Sequence, residues 1–232
     1  MRSVLLLLLA VPSLAAAQSL SVSGVLEDGD EVLRTDSGIG GMFIDRHELA
    51  VEAGDLVEVT YRLTSGASPL LRVSTPSGQR VARERCGDAT CVLFVAGEGG
   101  PVRLGASSFS TGDHAYELAA RALRPGDASR RERDRDAIEP SDPEDGRSYR
   151  YDDHTIRADA GQILAVQLDS GDFLLEMTLL DPDGYRVEMP GEGSPMARLA
   201  QRATKSGVYT VRVRPNYRGE TGAYEIDMAV YD

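Results

Sequence analysis

Residues 207–213 read Gly-Val-Tyr-Thr-Val-Arg-Val, and this stretch decides the fold. Tyr209, Val211 and Val213 alternate with Thr210, Arg212 and Arg214, the period of two by which an extended chain sends successive side chains to opposite faces. The pattern predicts a strand with one face in a core and the other in water. Working outward, Ile163 to Leu168 and Leu174 to Leu180 are short apolar runs rich in strand formers. Between Leu180 and Tyr185 stands Asp181-Pro182-Asp183-Gly184, where proline fixes φ and glycine accepts a positive φ, so the chain turns. Gly54 and Gly161 each precede a strand, and Gly207 and Gly222 each open one. Strands recurring every ~8–12 residues between such turns, with no long helical pattern after the first residues, predict antiparallel sandwiches.

The same unit is written twice. Arg46-His-Glu-Leu-Ala-Val-Glu-Ala-Gly-Asp55 aligns with Asp153-His-Thr-Ile-Arg-Ala-Asp-Ala-Gly-Gln162, matching His47 to His154 and Gly54 to Gly161 at an offset of 107. Thr75-Pro-Ser-Gly78 matches Asp181-Pro-Asp-Gly184 at 106, and Ala115-Tyr-Glu-Leu118 matches Ala223-Tyr-Glu-Ile226 at 108. Three anchors in order at nearly constant spacing indicate a tandem duplication of about 100 residues per copy. The fold class expected is all-β: two tandem antiparallel, jelly-roll-like β-sandwich domains after a cleaved signal peptide. The expected boundaries are 18–124 for a divergent first copy and 147–232 for the second. Residues 125–146, with Pro125, Pro140, Pro143 and the charge run Arg130 to Asp136, read as a solvated linker. At the repeat offset they also occupy the place of the first copy's opening strand, which is expected to be missing or replaced.

Residues 1–17 read as an export signal. Arg2 precedes an apolar run from Val4 to Val11, and Ala15-Ala16-Ala17 suits signal peptidase, with Gln18 as the mature start. The run is too short to span a bilayer, so no membrane span is expected after cleavage. A secreted or periplasmic location follows. In an oxidising compartment Cys86 and Cys91, in Cys-Gly-Asp-Ala-Thr-Cys, are expected to form a disulfide across a hairpin tip.

The ordered set in the second copy resembles the bacterial pre-peptidase C-terminal domain. It comprises Ala-Gly-Gln162, Leu-Asp-Ser-Gly-Asp172, Asp-Pro-Asp-Gly184, Gly207-Val-Tyr-Thr-Val-Arg-Val213 and Gly222-Ala-Tyr-Glu-Ile226. The likeness covers about 145–231. The first copy is similar but divergent, with Gly100-Pro-Val-Arg-Leu104 in place of the Gly-Val-Tyr segment. The resemblance implies a noncatalytic accessory module whose partner is a protein or cell-envelope component, such as a secreted peptidase or a glycan. It also implies that calcium is possible. Here Asp172-Phe173-Leu174 keeps only the first acid of an Asp-x-Asp, and Ser65-Gly66-Ala67 keeps none. The other acidic groups, Glu27, Asp28, Asp30 and Glu31, and Asp142, Glu144 and Asp145, lack ligand spacing, so no cofactor or metal is expected.

Charge removes other classes. The chain has 232 residues with 25 Lys+Arg against 37 Asp+Glu, a net charge of −12, which disfavours nucleic acid. No Gly-x-Ser-x-Gly, phosphate loop or dinucleotide glycine pattern occurs, and His47-Glu48 lacks the second histidine of a zinc protease because Val51 stands there. No catalytic residue is expected; an unrecognised hydrolase using His154 and Asp153 is the weakest alternative. A carbohydrate-binding sandwich is a stronger one. With no Trp in the chain, Tyr185 and Tyr217, in loops beside glycines, are the ligand-stacking candidates.

Overall fold

The computed structural model describes residues 18–27, 30–33, 42–64, 66–81, 84–86, 89–110, 112–171, 173–188 and 195–232. Residues 1–17, read above as an export signal, Gly87 and Asp88, expected at a hairpin tip, and Asp28, Ser65 and Asp172 lie outside the described residues.

Two sandwiches follow one another. In the first, sheet I holds β2 (Glu31–Leu33), β3 (Met42–Val51), β8 (Gly100–Ser108) and β5 (Pro69–Ser74) in that spatial order. Sheet II holds β1 (Gln18–Leu26), β9 (His114–Leu123), β4 (Leu56–Leu63), β7 (Ala89–Val95) and β6 (Glu84–Cys86). In the second, sheet III runs β10 (Arg130–Ile138), β17 (Gly222–Tyr231), β12 (Ile163–Asp169), β15 (Met196–Arg202). Sheet IV runs β11 (Asp152–Ala158), β16 (Gly207–Pro215), β13 (Leu175–Leu180), β14 (Arg186–Glu188). The order β1-β9-β4-β7 repeats as β10-β17-β12-β15, and β3-β8-β5 repeats as β11-β16-β13. The duplication is therefore one of topology as well as of sequence.

The period-two reading of β16 holds residue by residue: Tyr209, Val211 and Val213 are buried, while Val208 is 48% exposed. They join Ile156, Leu164, Val166, Leu168, Met177 and Leu179 in the second core. Leu49, Val57, Val59, Tyr61, Val73 and Leu104 occupy the matching first core. The Pro-x-Gly turns are duplicated too, with Gly78 at φ +89° and Gly184 at φ +81°. At the start of β16 a Cβ on Gly207 would lie 2.7 Å from Pro182, and one on Gly100 3.0 Å from Pro76. Glycine is kept there because the turn's proline packs on the bare backbone.

The linker expected over 125–146 is corrected. Only Arg124, one 3-10 turn, Pro125–Asp127, and Ala128 lead from β9 into Ser129, whose N–H donates to Val230 O at 2.8 Å. Residues 130–138 then form β10 on the edge of sheet III, paired with β17 from Arg130↔Val230 to Ile138↔Gly222. This is the counterpart of β1 on β9, and Ile138 is buried as Leu26 is. The strand escaped notice because its first seven side chains are exposed, so no apolar alternation marks it. Its cross-strand ion pairs, Arg131 and Arg133 on Asp227 and Arg135 on Glu225, replace apolar pairing. Charge of this kind also keeps an edge from recruiting another chain.

The backs of sheets II and III pack on each other. Leu56 and Val95 meet Ile163, Ala165, Ala229 and Tyr231 in a third buried cluster. Glu58 accepts from Arg121 at 2.6 Å and also pairs with Arg202 of the second sandwich. The sheets thus stack in the order I–II–III–IV, and the outer faces of I and IV point away from each other. Among the described residues no helix is long and apolar enough to cross a membrane.

Candidate functional site

Each sandwich carries the same three-residue bridge between its two sheets. In the first, Tyr116 on β9 donates its hydroxyl to Asp45 Oδ2 at 2.7 Å, and His47 Nε2 lies 3.0 Å from the tyrosine oxygen. In the second, Tyr224 on β17 donates to Asp152 Oδ2 at 2.8 Å, with His154 Nε2 2.7 Å from the Tyr224 oxygen. A tyrosine hydroxyl has one proton. Spending it on the carboxylate makes each Nε2 the N–H donor to the tyrosine oxygen. Burial, reinforced by the carboxylate, pushes both tyrosine hydroxyls well above their ordinary value. Burial also raises Asp152, although Tyr224's hydrogen bond pulls the other way.

In the sequence the repeat pairs His47 with His154 and Tyr116 with Tyr224 as separate signals. Asp45 and Asp152, two residues before each histidine, meet these tyrosines only across the folded sandwich. The nearly equal spacing of Asp-x-His and Ala-Tyr-Glu, 71 residues from aspartate to tyrosine in the first copy and 72 in the second, is the clue the sequence carries.

The copies differ around this bridge. In the first, Gly24 of β1 faces Tyr116, and a Cβ there would sit 2.7 Å from the ring. In the second, Asp136 faces Tyr224, and the rings of His154 and Tyr224 meet at 89° rather than the 57° of His47 and Tyr116. Asp134, Asp136 and His154 thereby bring one donor atom each within 4.8 Å of one another. Calcium takes six to eight oxygens, and His154 Nε2 is already a donor. The group is incomplete as a calcium cage.

The acids singled out from sequence are spent locally. Asp30 Oδ2 accepts from Glu27 N, and Asp142 Oδ2 from Glu139 N. Asp145 accepts from the Arg147 and Tyr149 amides and pairs with Arg214, Glu144 pairs with Arg150, and Glu31 with Arg46.

Tyr185 and Tyr217 are exposed, at 71% and 58%. They do not form one platform. Leu180, before the Tyr185 turn, pairs with Thr210, whereas Tyr217 follows Pro215 at the far end of β16. Strand geometry sets them roughly 20 Å or more apart. Tyr185 has Lys205 Nζ 5.9 Å from its ring centre. Tyr149 and Tyr151, which were not singled out, are stacked: Arg212 lies 3.9 Å over Tyr151 and Arg214 4.8 Å over Tyr149. Cys86 on β6 and Cys91 on β7 belong to one hairpin, with Cys86 opposite Ala89.

These features define a tandem β-sandwich protein with a duplicated Asp–Tyr–His bridge. No family model and no characterised protein matches the chain. Among solved structures it is similar to a conserved protein of unknown function from Pseudomonas aeruginosa PAO1, at 12% identity and TM-score 0.25 over 91% of this chain and all of that one. It is also similar to the M60 catalytic domain with two carbohydrate-binding modules of Clostridium perfringens ZmpB, at 9% identity and TM-score 0.30, over 90% of this chain and 38% of that one. A third is the tandem CBM22 pair of Paenibacillus barcinonensis Xyn10C, at 12% identity and TM-score 0.23, over 91% and 92%. At such scores nothing about ligands passes from these proteins to this chain.

Proposed function

We propose that this chain is an exported, noncatalytic module that works by binding or assembly at the cell envelope or outside the cell. In this reading it is similar to pre-peptidase C-terminal domains, is cleaved after Ala17, and carries a Cys86–Cys91 disulfide. The observation that carries the reading is the back-to-back packing of sheets II and III around Leu56, Ile163 and Tyr231. It fixes two sandwiches as one body and leaves the faces of sheets I and IV turned outward, an arrangement suited to holding two partners or two parts of one. The repeated bridge supports a noncatalytic role. Each Nε2 is committed to a tyrosine, and the two histidines stand in different sandwiches. The partner is a protein or a glycan of the envelope, with no cofactor required.

The test is fractionation of cells expressing the full chain, followed by capture with residues 18–232. We expect the chain in the periplasm or medium with Gln18 as its N-terminus, and retention of an envelope component. A chain that stays in the cytoplasm with Met1 intact overturns the export reading, and an empty capture from every fraction overturns the binding reading.

A further inference from the structure

The outer face of sheet I carries a charge pattern at odds with the rest of the chain. Across the sheet, Arg46 on β3 and Arg72 on β5 both face Gly105 on β8. One step along, Arg103 stands between Glu48 and Ser74, and Ser74 bridges to Arg80. Four arginines and one β8 glycine thus line a depression of about 330 Å³. Gly105 forms its floor, and a Cβ there would sit 2.7 Å from Ile44 Cδ1. Arg46 is held by Glu31, and Arg103 lies 3.9 Å from Glu48. Among the described residues Arg72 and Arg80 have no ion-pair partner. In a chain of net charge −12, a local excess of guanidinium has no structural task that the fold supplies.

The second copy shows that the fold does not need it. On sheet IV the positions of Arg46, Gly105 and Arg72 are taken by Asp153, Arg212 and Thr178. There Arg212 is neutralised by Asp153 through two bonds of 2.7 Å. The positions of Glu48, Arg103 and Ser74 are Thr155, Thr210 and Leu180. Arg80, opposite Ser74, keeps an arginine counterpart in Arg186, opposite Leu180, so the same scaffold carries two arginines across those rows where the first copy carries four.

We propose that this face of sheet I binds an acidic polysaccharide, carboxylated or sulfated, through Arg46, Arg72, Arg80 and Arg103. Neighbouring strands lie ~4.8 Å apart, so the Arg46 and Arg72 backbones stand about 10 Å apart with bare glycine between them. An anionic chain can cross Gly105 while its charged groups meet a guanidinium on each side, and the guanidinium fork matches carboxylate and sulfate oxygens two at a time. A peptide is less well served: β8 is paired on both edges, so its backbone is unavailable for strand addition, and no exposed aromatic anchor stands among the arginines. The inference deepens the binding-module reading by naming a ligand class. A chain that captures an envelope protein yet ignores polyanions sinks this inference alone.

The experiment measures binding of residues 18–232 to polygalacturonate, dextran sulfate, neutral dextran and poly-L-glutamate at low salt. We expect the two acidic polysaccharides to bind, neutral dextran not to bind, and added salt to weaken the complex. R72S/R80S, and R80E alone at an exposed position, should weaken binding about tenfold or more while leaving the melting temperature unchanged. R147S/R157S, which removes the same charge elsewhere, should weaken it less than about twofold. The proposal is overturned by absent binding, by equal losses in the two double variants, or by poly-L-glutamate binding more tightly than both polysaccharides.

Discussion

Replacing Tyr224 with phenylalanine tests whether the Asp–Tyr–His bridge holds the second sandwich together. The ring is 2% exposed and its hydroxyl serves Asp152 at 2.8 Å and His154 at 2.7 Å. Phenylalanine keeps the packing and deletes the donor. A hydrogen bond to a charged acceptor is worth about 1.5–3 kcal/mol, and an imidazole N–H left buried without an acceptor adds to the cost. We expect a loss of about 2–3 kcal/mol at pH 7, or a melting temperature lower by about 4–12 °C for a unit of this size. The pH dependence separates the bridge from bland packing. Burial already raises Asp152 above the ordinary carboxylate range, and the tyrosine bond is what restrains that rise. Without Tyr224 the folded state holds a proton on Asp152 more tightly than the unfolded state does. Stability from this group is then present at acid pH and falls as pH climbs through the folded value. Urea unfolding of Y224F should therefore show a larger deficit at pH 7 than at pH 5, and adding D152N should shrink it. A variant within about 0.5 kcal/mol of the parent at pH 7, or a deficit equal at both pH values, refutes this account.

Four further outcomes test the packing, the charges, the disulfide and the metal-free reading. Residues 130–232 should give a folded, soluble fragment, while 147–232, which lacks β10 and Ile138, should aggregate or lose cooperative unfolding; equal behaviour in size-exclusion and melting experiments would mean that β10 is dispensable. Arg131, first, and Arg133 hold Asp227 below the usual carboxylate range, so its contribution is present above pH ~4 and is lost as pH falls through the depressed value. D227N should cost about 1 kcal/mol at pH 7 and nothing in strong acid, read from paired unfolding curves. Thiol titration of the denatured mature protein should find both cysteines only after reduction, with reduction costing about 2 kcal/mol, and EDTA should leave the melting curve unmoved; thiols found without reductant, or a melt lowered by EDTA, would refute the disulfide and the metal-free reading respectively.

The parts of this fold that were legible in the sequence are those where a strand separates core from water. β16 alternates because Tyr209, Val211 and Val213 enter a core while Arg212 and Arg214 stay outside, and β17 repeats the device. The Pro-x-Gly turns were legible because φ is a local property. β10 was not, because its pairing rests on backbone hydrogen bonds and on Arg131, Arg133 and Arg135 reaching acids 90 or more residues away. The interface was hidden for a different reason. Ile163 and Ala165 sit on the outer face of β12, so with Leu164 and Val166 they made a continuous apolar run that reads only as a buried strand. Nothing in that run says that its second face is covered by Leu56 and Val95 of the other copy. The bridge lay between these cases. Each of its residues was visible as a repeat match, but its meaning depended on two opposing sheets bringing Asp152 and His154 to Tyr224.

What the copies share and where they part can be weighed against each other. Both keep the buried tyrosine with its aspartate and histidine, the proline seated on a bare glycine, and the strand order. Each of these ties one sheet to the other and is equally useful in any sandwich. They part on surfaces that the two cores do not need. Val22 and Gly24 become Asp134 and Asp136 on the opening strand, and a row of arginine, glycine and arginine becomes aspartate, arginine and threonine. A duplicated domain that only had to be stable could let both faces drift toward the same solvated mixture. Instead one face gathers four arginines around a glycine floor, and the other pairs its arginines with acids and stacks them on Tyr149 and Tyr151. Since sheets II and III are occupied by each other, selection on binding can act only on the two end faces and the edges. The face with unspent charge is the one on which substitutions should change what the protein holds without changing whether it folds.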